Sequence, residues 1–286
     1  MAQRRFRVGV QVRPEHTTVP SMREAWRRIE DLGVETLWTW DHFFPLRADP
    51  QGPQIARRID PPAPGVAAPQ GEPQGAHFEC WTLLAAMAVT TTRVEFGAMV
   101  SAIGYRNPAL LSNMAKTVDH LSGGRLILGL GAGWSARDFR EFGYPMPPGP
   151  ERLRELRRGI GIIKERWAVD EPPPVRNPIP ILIGGGGEKV TMRIAAQHAQ
   201  IWNWIARPPV YAAKSLLLDE HCRAVGRDPG EIERSVNIEV ADAHDPATLD
   251  AYAEAGATHL ILRFPEPWDF AAVENLVAWR DRANGR

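Results

Sequence analysis

Eight times along the chain, a short run of β-forming residues gives way to an amphipathic stretch. The runs fall at 6–12, 36–40, 94–100, 126–130, 179–183, 201–204, 235–240 and 259–263. Helices are expected between them. One opens at the capping box Ser21-Met22-Arg23-Glu24 and ends at Gly33. Another, led by Asn107 as N-cap and Pro108 at the first helical position, runs to Leu121. Others are expected over 79–91, 151–167, 209–225, 246–255 and 270–283, and from the glycine run after the fifth strand to His198. Strands alternating with helices imply parallel pairing through right-handed crossovers. Eight such units in 286 residues fit a closed (β/α)8 TIM barrel occupying the whole chain. An open, doubly wound sheet of two halves is the competing topology.

One segment breaks the rhythm. Arg47–Gly75 is dense in Pro, Gly, Gln and Ala, and repeats Pro-Gln-Gly from Pro50, Pro69 and Pro73. It reads as an insertion after the second strand, either a lid over the reactive end of the barrel or a surface loop.

Composition excludes several classes of function. Thirty-four basic side chains balance thirty-four acidic ones, which is no footprint for nucleic acid or an anionic membrane. No stretch approaches the roughly 18 apolar residues of a membrane span, and the charged start lacks the core of a signal peptide. Two cysteines, Cys80 and Cys222, build no disulfide framework. A cytoplasmic enzyme acting on a small molecule is the expectation.

In a barrel, the reactive residues follow the C-terminal ends of the strands. The first strand delivers Gln11 and Arg13, and the second delivers Trp40, Asp41, His42, Phe43 and Phe44. Asp41-His42 is the most reactive pair, because a histidine near a carboxylate and aromatic rings can move a proton near neutral pH. A histidine satisfied by a backbone carbonyl is the alternative. Gly184-Gly185-Gly186-Gly187 before a helix lets backbone N–H groups converge on a phosphate. The loop Gly129–Gly133 lacks dinucleotide-fingerprint spacing, and suits either close approach to a flat ring or tight packing. Ten tryptophans against four tyrosines suggest an aromatic pocket, with Trp40, Phe44, Trp81, Trp134 and Trp202 as its lining. His77, Glu79 and Cys80 read as capping groups, not metal ligands. His120 and Arg125 read as structural, and Asp138 and Tyr105 as spare proton donors. No serine-hydrolase elbow is present.

Several of these segments together resemble the luciferase-like flavin and deazaflavin oxidoreductases, and most closely the branch that uses coenzyme F420. They are Leu37-Trp38-Thr39-Trp40-Asp41-His42-Phe43-Phe44, Tyr105-Arg106-Asn107-Pro108-Ala109-Leu110-Leu111, Asp119-His120-Leu121-Ser122-Gly123-Gly124-Arg125-Leu126, Leu128-Gly129-Leu130-Gly131-Ala132-Gly133-Trp134 and Pro180–Glu188. The resemblance implies a barrel with the coenzyme at its C-terminal mouth. It places Asp41 and His42 beside the deazaflavin ring, with His42 as the proton-transfer residue. It places a cis peptide at Met99-Val100 behind the ring. It assigns Gly131, Ala132 and Gly133 to the coenzyme side chain and Gly184–Gly187 to its phosphate. Trp134 stands where related sugar-phosphate dehydrogenases carry a proton-donating Glu, which implies a different substrate. The implied activity is hydride transfer between the deazaflavin C5 and a small, fairly apolar substrate by a homodimer. An FMN-dependent monooxygenase and a non-catalytic coenzyme-binding protein are the alternatives. A metal-dependent barrel hydrolase lacks its His/Asp clusters.

Overall fold

The computed structural model describes residues 5–46 and 75–285. The expected insertion therefore lies outside the described residues, apart from Gly75. Among the described residues, nine strands form one sheet: β1 Arg7–Val12, β2 Thr36–Thr39, β3 Glu95–Ala98, β4 Ser101–Ala102, β5 Leu126–Gly131, β6 Ile181–Gly184, β7 Ile201–Trp204, β8 Glu233–Ile238 and β9 His259–Phe264. All pairings are parallel, in the order β3-β2-β1-β9-β8-β7-β6-β5-β4. A further β3–β5 pairing, Phe96 with Leu126 and Gly97 with Ile127, closes the sheet on itself. The result is an eight-position barrel, not an open sheet.

Nine strands occupy eight positions because the third is interrupted. Pairing stops after Ala98, the Met99–Val100 peptide bond is cis, and pairing resumes as Ser101 and Ala102 meet Leu130 and Gly131. The expected 94–100 strand thus ends at Ala98, and its continuation, Ser101–Ala102, lies beyond the expected run.

Period-2 alternation divides the strand residues between two cores. Trp38, Met99, Ile127, Leu182, Ile201 and Ile261 fill the barrel interior. Their alternates, such as Val8, Val10, Leu37, Phe96, Leu128 and Leu260, pack into the layer beneath the helices. Glycines make room for Trp38. A Cβ on Gly9 would lie 2.2 Å from Thr36 Oγ1 and 3.1 Å from the Trp38 ring nitrogen, and one on Gly97 would lie 2.2 Å from the Ile127 carbonyl oxygen.

Local chemistry sets the helix ends. Asn107 caps Pro108–Ser122 through Ala109 N–H at 2.9 Å, and Gly123 terminates it at φ 65°. Glu79 caps Cys80–Thr90 through the N–H groups of Trp81 (3.1 Å) and Thr82 (2.6 Å), as expected of that segment. The Ser21–Glu24 box does not open its helix. Val19–Asp31 begins a turn earlier, where the Thr18 hydroxyl accepts the Ser21 N–H at 3.2 Å and Pro20 occupies the first turn. The eighth-position helix Phe270–Ala283 falls as expected.

The seventh barrel strand lies two residues earlier than expected. Glu233 and Arg234 hide its start from a hydrophobic count, yet both are absorbed by ion pairs with Arg7 (3.1 Å) and Asp219 (2.5 Å). Val240, expected in the strand, instead opens a short helix, Val240–Ala243. No described helix is long and apolar enough to cross a membrane.

Candidate active site

The chemistry-bearing residues gather at the C-terminal mouth, chiefly after β2, β3 and β5, which are neighbours in the barrel. His42 follows β2. Its Nδ1 lies 2.6 Å from Asp138 Oδ2, and its ring meets the edges of Trp40 (6.1 Å between centroids) and Trp134 (5.3 Å). Asp138 sits on the short helix Ala136–Glu141, which Ser135 caps. The same Oδ2 accepts the Tyr105 hydroxyl at 2.9 Å, and Oδ1 accepts the Phe43 N–H at 3.2 Å. Burial pushes the Asp138 carboxyl up, but His42, Tyr105 and Phe43 together hold it below the ordinary carboxylate range. Burial drives the Tyr105 hydroxyl far upward, and the adjacent Asp138 adds to this, so it stays protonated.

The carboxylate partner of His42 is therefore not its chain neighbour. Asp41 turns the other way, into a bidentate pair with Arg106 at 2.5 and 3.1 Å, and Arg106 reaches on to Glu79 at 2.6 Å. Burial pushes the Asp41 carboxyl up, and the guanidinium opposes it. Asp41 ties the end of β2 to the segment before the Pro108–Ser122 helix, and so supports the loop that carries His42.

Val100 builds the floor beside this cluster. Its side chain is half-buried and sits over two glycines of adjacent strands. A Cβ on Gly131 would come within 2.6 Å of Val100, and one on Gly184 within 2.9 Å. Behind it, Gln11 donates to the Met99 carbonyl at 3.2 Å, and Asn237 donates to Gln11 at 3.2 Å. Gly131 thus lies next to Val100, Gly133 lies against Phe139 and Ala102, and Trp134 stands at the rim, 39% exposed.

The Gly184–Gly187 loop has a different build from the one expected. Gly185 takes φ 129°, and Gly186 lies flat against Trp204, where a Cβ would come within 2.4 Å of the ring. Lys214 fastens the loop through the Gly186 carbonyl (3.2 Å) and Glu188 (2.6 Å). The following helix begins only at Thr191 and runs eight residues to His198. Its positive end is displaced from the glycines by the turn between them.

Two of the five expected pocket aromatics lie elsewhere. Trp202 is wholly buried under the helices, stacked on Tyr211 at 5.3 Å with its N–H on the Gly185 carbonyl. It alternates with inward-facing Ile201, and this pleat turns it away from the mouth. Trp81 is buried in the helix layer, with its N–H on Ser101 Oγ at 3.0 Å. Trp40 and Trp134 flank His42. Phe44 belongs to an adjoining wall with Phe43 and Phe142, and Phe142 is 52% exposed.

Sequence reading missed Arg106 as the partner of Asp41 and Asp138 as the partner of His42. Asp138 and Tyr105 had been singled out only as unassigned donors. His77 is drawn in as well, accepting the Trp40 N–H at 3.2 Å. Among the described residues, no group of three His, Cys, Asp or Glu side chains is arranged to hold a metal ion.

A family model described as luciferase-like monooxygenase matches residues 5–285. The chain belongs to the luciferase-like monooxygenase family. Several of the relatives it resembles are dehydrogenases or monooxygenases by name. An F420-dependent glucose-6-phosphate dehydrogenase of Amycolatopsis mediterranei is 28% identical over 65% of this chain and 53% of its own length. An FMNH2-dependent dimethylsulfone monooxygenase of Pseudomonas putida is 24% identical over 71% and 64%. An uncharacterised protein of Mycobacterium tuberculosis is 26% identical over 85% and 86%. Among solved structures, an F420-dependent secondary alcohol dehydrogenase, in complex with an F420-acetone adduct, superposes with a TM-score of 0.75 at 15% identity. That match covers 96% of this chain and 98% of the other. The likeness is one of fold.

Proposed function

We propose that the protein is an F420-dependent oxidoreductase acting on a small, fairly apolar organic substrate. The observation that carries this reading is the convergence, at one mouth, of a carboxylate-held histidine, a half-buried valine floor and an exposed tryptophan. Similarity to a dehydrogenase named for F420 supports the coenzyme.

The residues fit a flat, polar-edged coenzyme. Buried polar atoms without a hydrogen-bond partner among the described residues include Arg13 Nε and Glu15 Oε1, just beyond β1, and Asn237 Oδ1, near the end of β8. Buried donors and acceptors left unmet are costly, and a ring edge or a hydroxylated side chain would satisfy them. When bound, the deazaflavin supplies the carbon, C5, that gives or takes a hydride. Val100 would lie against the ring, and Gly131–Gly133 and Gly184–Gly187 would hold the tail and its phosphate. Trp40 and Trp134 shape the chamber and exclude water. His42 takes or returns the proton that accompanies the hydride. The same reading carries a homodimeric state and a cytoplasmic setting. Light scattering on the eluting protein reads the dimer as twice the 31.8 kDa chain mass.

The test is a titration of purified protein with F420 and with FMN, followed by turnover with a panel of small alcohols and ketones. F420 is expected to bind with clear preference, and His42→Ala to slow turnover about 10²–10⁴-fold while leaving coenzyme affinity intact. The similarity to an FMNH2-dependent monooxygenase favours one second reading, in which reduced FMN and dioxygen are the reactants. A preference for FMN with substrate-dependent oxygen uptake would establish it. Tight F420 binding with no turnover of any panel member would point to a carrier.

A further inference from the structure

We propose that Asp138 is the positioning residue of this site: it holds the Nδ1 proton of His42 and so leaves Nε2 as the atom that exchanges a proton with substrate. The inference rests on the reading of His42 as the proton carrier, and names which nitrogen works and what selects it.

The geometry carries it. Nδ1 lies 2.6 Å from Asp138 Oδ2, whereas Nε2 has no protein partner among the described residues. Asp138 is 1% exposed, so its orientation is set by protein groups and not by water. It has only acceptors to offer when ionised, and three donors converge on it: His42 Nδ1–H, the Tyr105 hydroxyl at 2.9 Å and the Phe43 N–H at 3.2 Å. A carboxylate so surrounded cannot donate to imidazole. The neutral ring must therefore carry its hydrogen on Nδ1, with the Nε2 lone pair free. The Trp40 and Trp134 rings stand beside it at 6.1 and 5.3 Å between centroids, each at a steep angle.

This arrangement was hidden from local sequence. The two residues stand 96 positions apart, after different strands. Asp138 reaches His42 because the Ala136–Glu141 helix folds back over the mouth, with Phe139 packed on Tyr105 at 4.9 Å.

The isosteric variant Asp138→Asn separates positioning from mere tethering. The backbone N–H of Phe43 cannot turn into an acceptor, so the asparagine oxygen must face it. The Tyr105 hydroxyl can rotate, so the asparagine NH2 faces His42 and Tyr105. Nδ1 then has to accept, and the hydrogen moves to Nε2. The probe is ¹⁵N NMR of the coenzyme-free protein labelled in its histidine rings, in mildly alkaline solution, with His42→Ala identifying the signals. Wild type is expected to show a pyrrole-type Nδ1 and a pyridine-type Nε2, and Asp138→Asn the reverse. Turnover of the variant with F420 should fall about 10²–10⁴-fold while KM, coenzyme affinity and the melting midpoint hold.

A wild-type His42 with its hydrogen on Nε2 overturns the proposal outright, even if the variant fails to fold. So does an Asp138→Asn protein that keeps the wild-type tautomer and full turnover. A tautomer that swaps as expected while His42→Ala retains full turnover overturns the catalytic reading of His42 instead, so the two failures are distinguishable.

Discussion

His77 shows how a half-buried histidine can be structural and still set a pH limit. It accepts the Trp40 N–H, so it must be neutral to do its work. Burial, and then the positive charge His42 and His16 can carry, push it down to about 4 against the pull of Asp138. The unfolded chain takes up this proton near pH 6.5, well before the folded one does. The contribution of His77 to stability is therefore complete above about 6.5 and is lost as pH falls toward 4, a change of about 3 kcal/mol. Denaturant midpoints are expected to drop across that window, and His77→Gln, which keeps an acceptor but does not titrate, to flatten the drop. Arg106 makes a complementary prediction. Arg106→Met would strand the Asp41 carboxylate, 1% exposed, without its counter-charge. A loss of about 3–5 kcal/mol in urea unfolding is expected, partly restored in the double variant with Asp41→Asn.

The same contrast between residue type and place governs the elements. Gly129 and Gly161 look alike in a composition count. Gly129 lies on the closing seam, where a Cβ would fall 1.9 Å from the Ala98 carbonyl oxygen. Gly161 lies on the Gly149–Val169 helix with nothing within 4 Å of its would-be Cβ. Gly129→Ala should therefore lower stability by about 3 kcal/mol by forcing β3 from β5. Gly161→Ala should raise it by about 0.5–1 kcal/mol through backbone entropy, and thermal unfolding reads both. Elements with continuous apolar runs or strong caps, such as β7 and the helix after Asn107, were legible because their signals are local. β8 was misplaced because Glu233 and Arg234 become strand residues only once Arg7 and Asp219 arrive to pair with them. The break at Met99–Val100 has no periodicity to announce it, and only resemblance to a family pointed there.

At the scale of the molecule, the formal charge is zero at pH 7. Colloidal repulsion is then weakest near neutrality, so a solubility minimum there, relieved on either side, is expected in a turbidity series across pH. The chain sequence alone determined the eight-unit alternation, hence a parallel sheet of this size, and the strand-end rule that located the mouth. It also marked His42, Trp40 and Trp134 as mouth residues, because they follow directly on strand ends. Tertiary structure decided the rest: that the sheet closes, that Asp41 serves Arg106, that Asp138 and Tyr105 serve His42, and that Trp81 and Trp202 face the helices. Such pairings join side chains as far as 96 residues apart. Their partners are chosen by the register of a closed barrel and the cost of leaving a buried charge unmatched, neither of which is a property of any short stretch of chain.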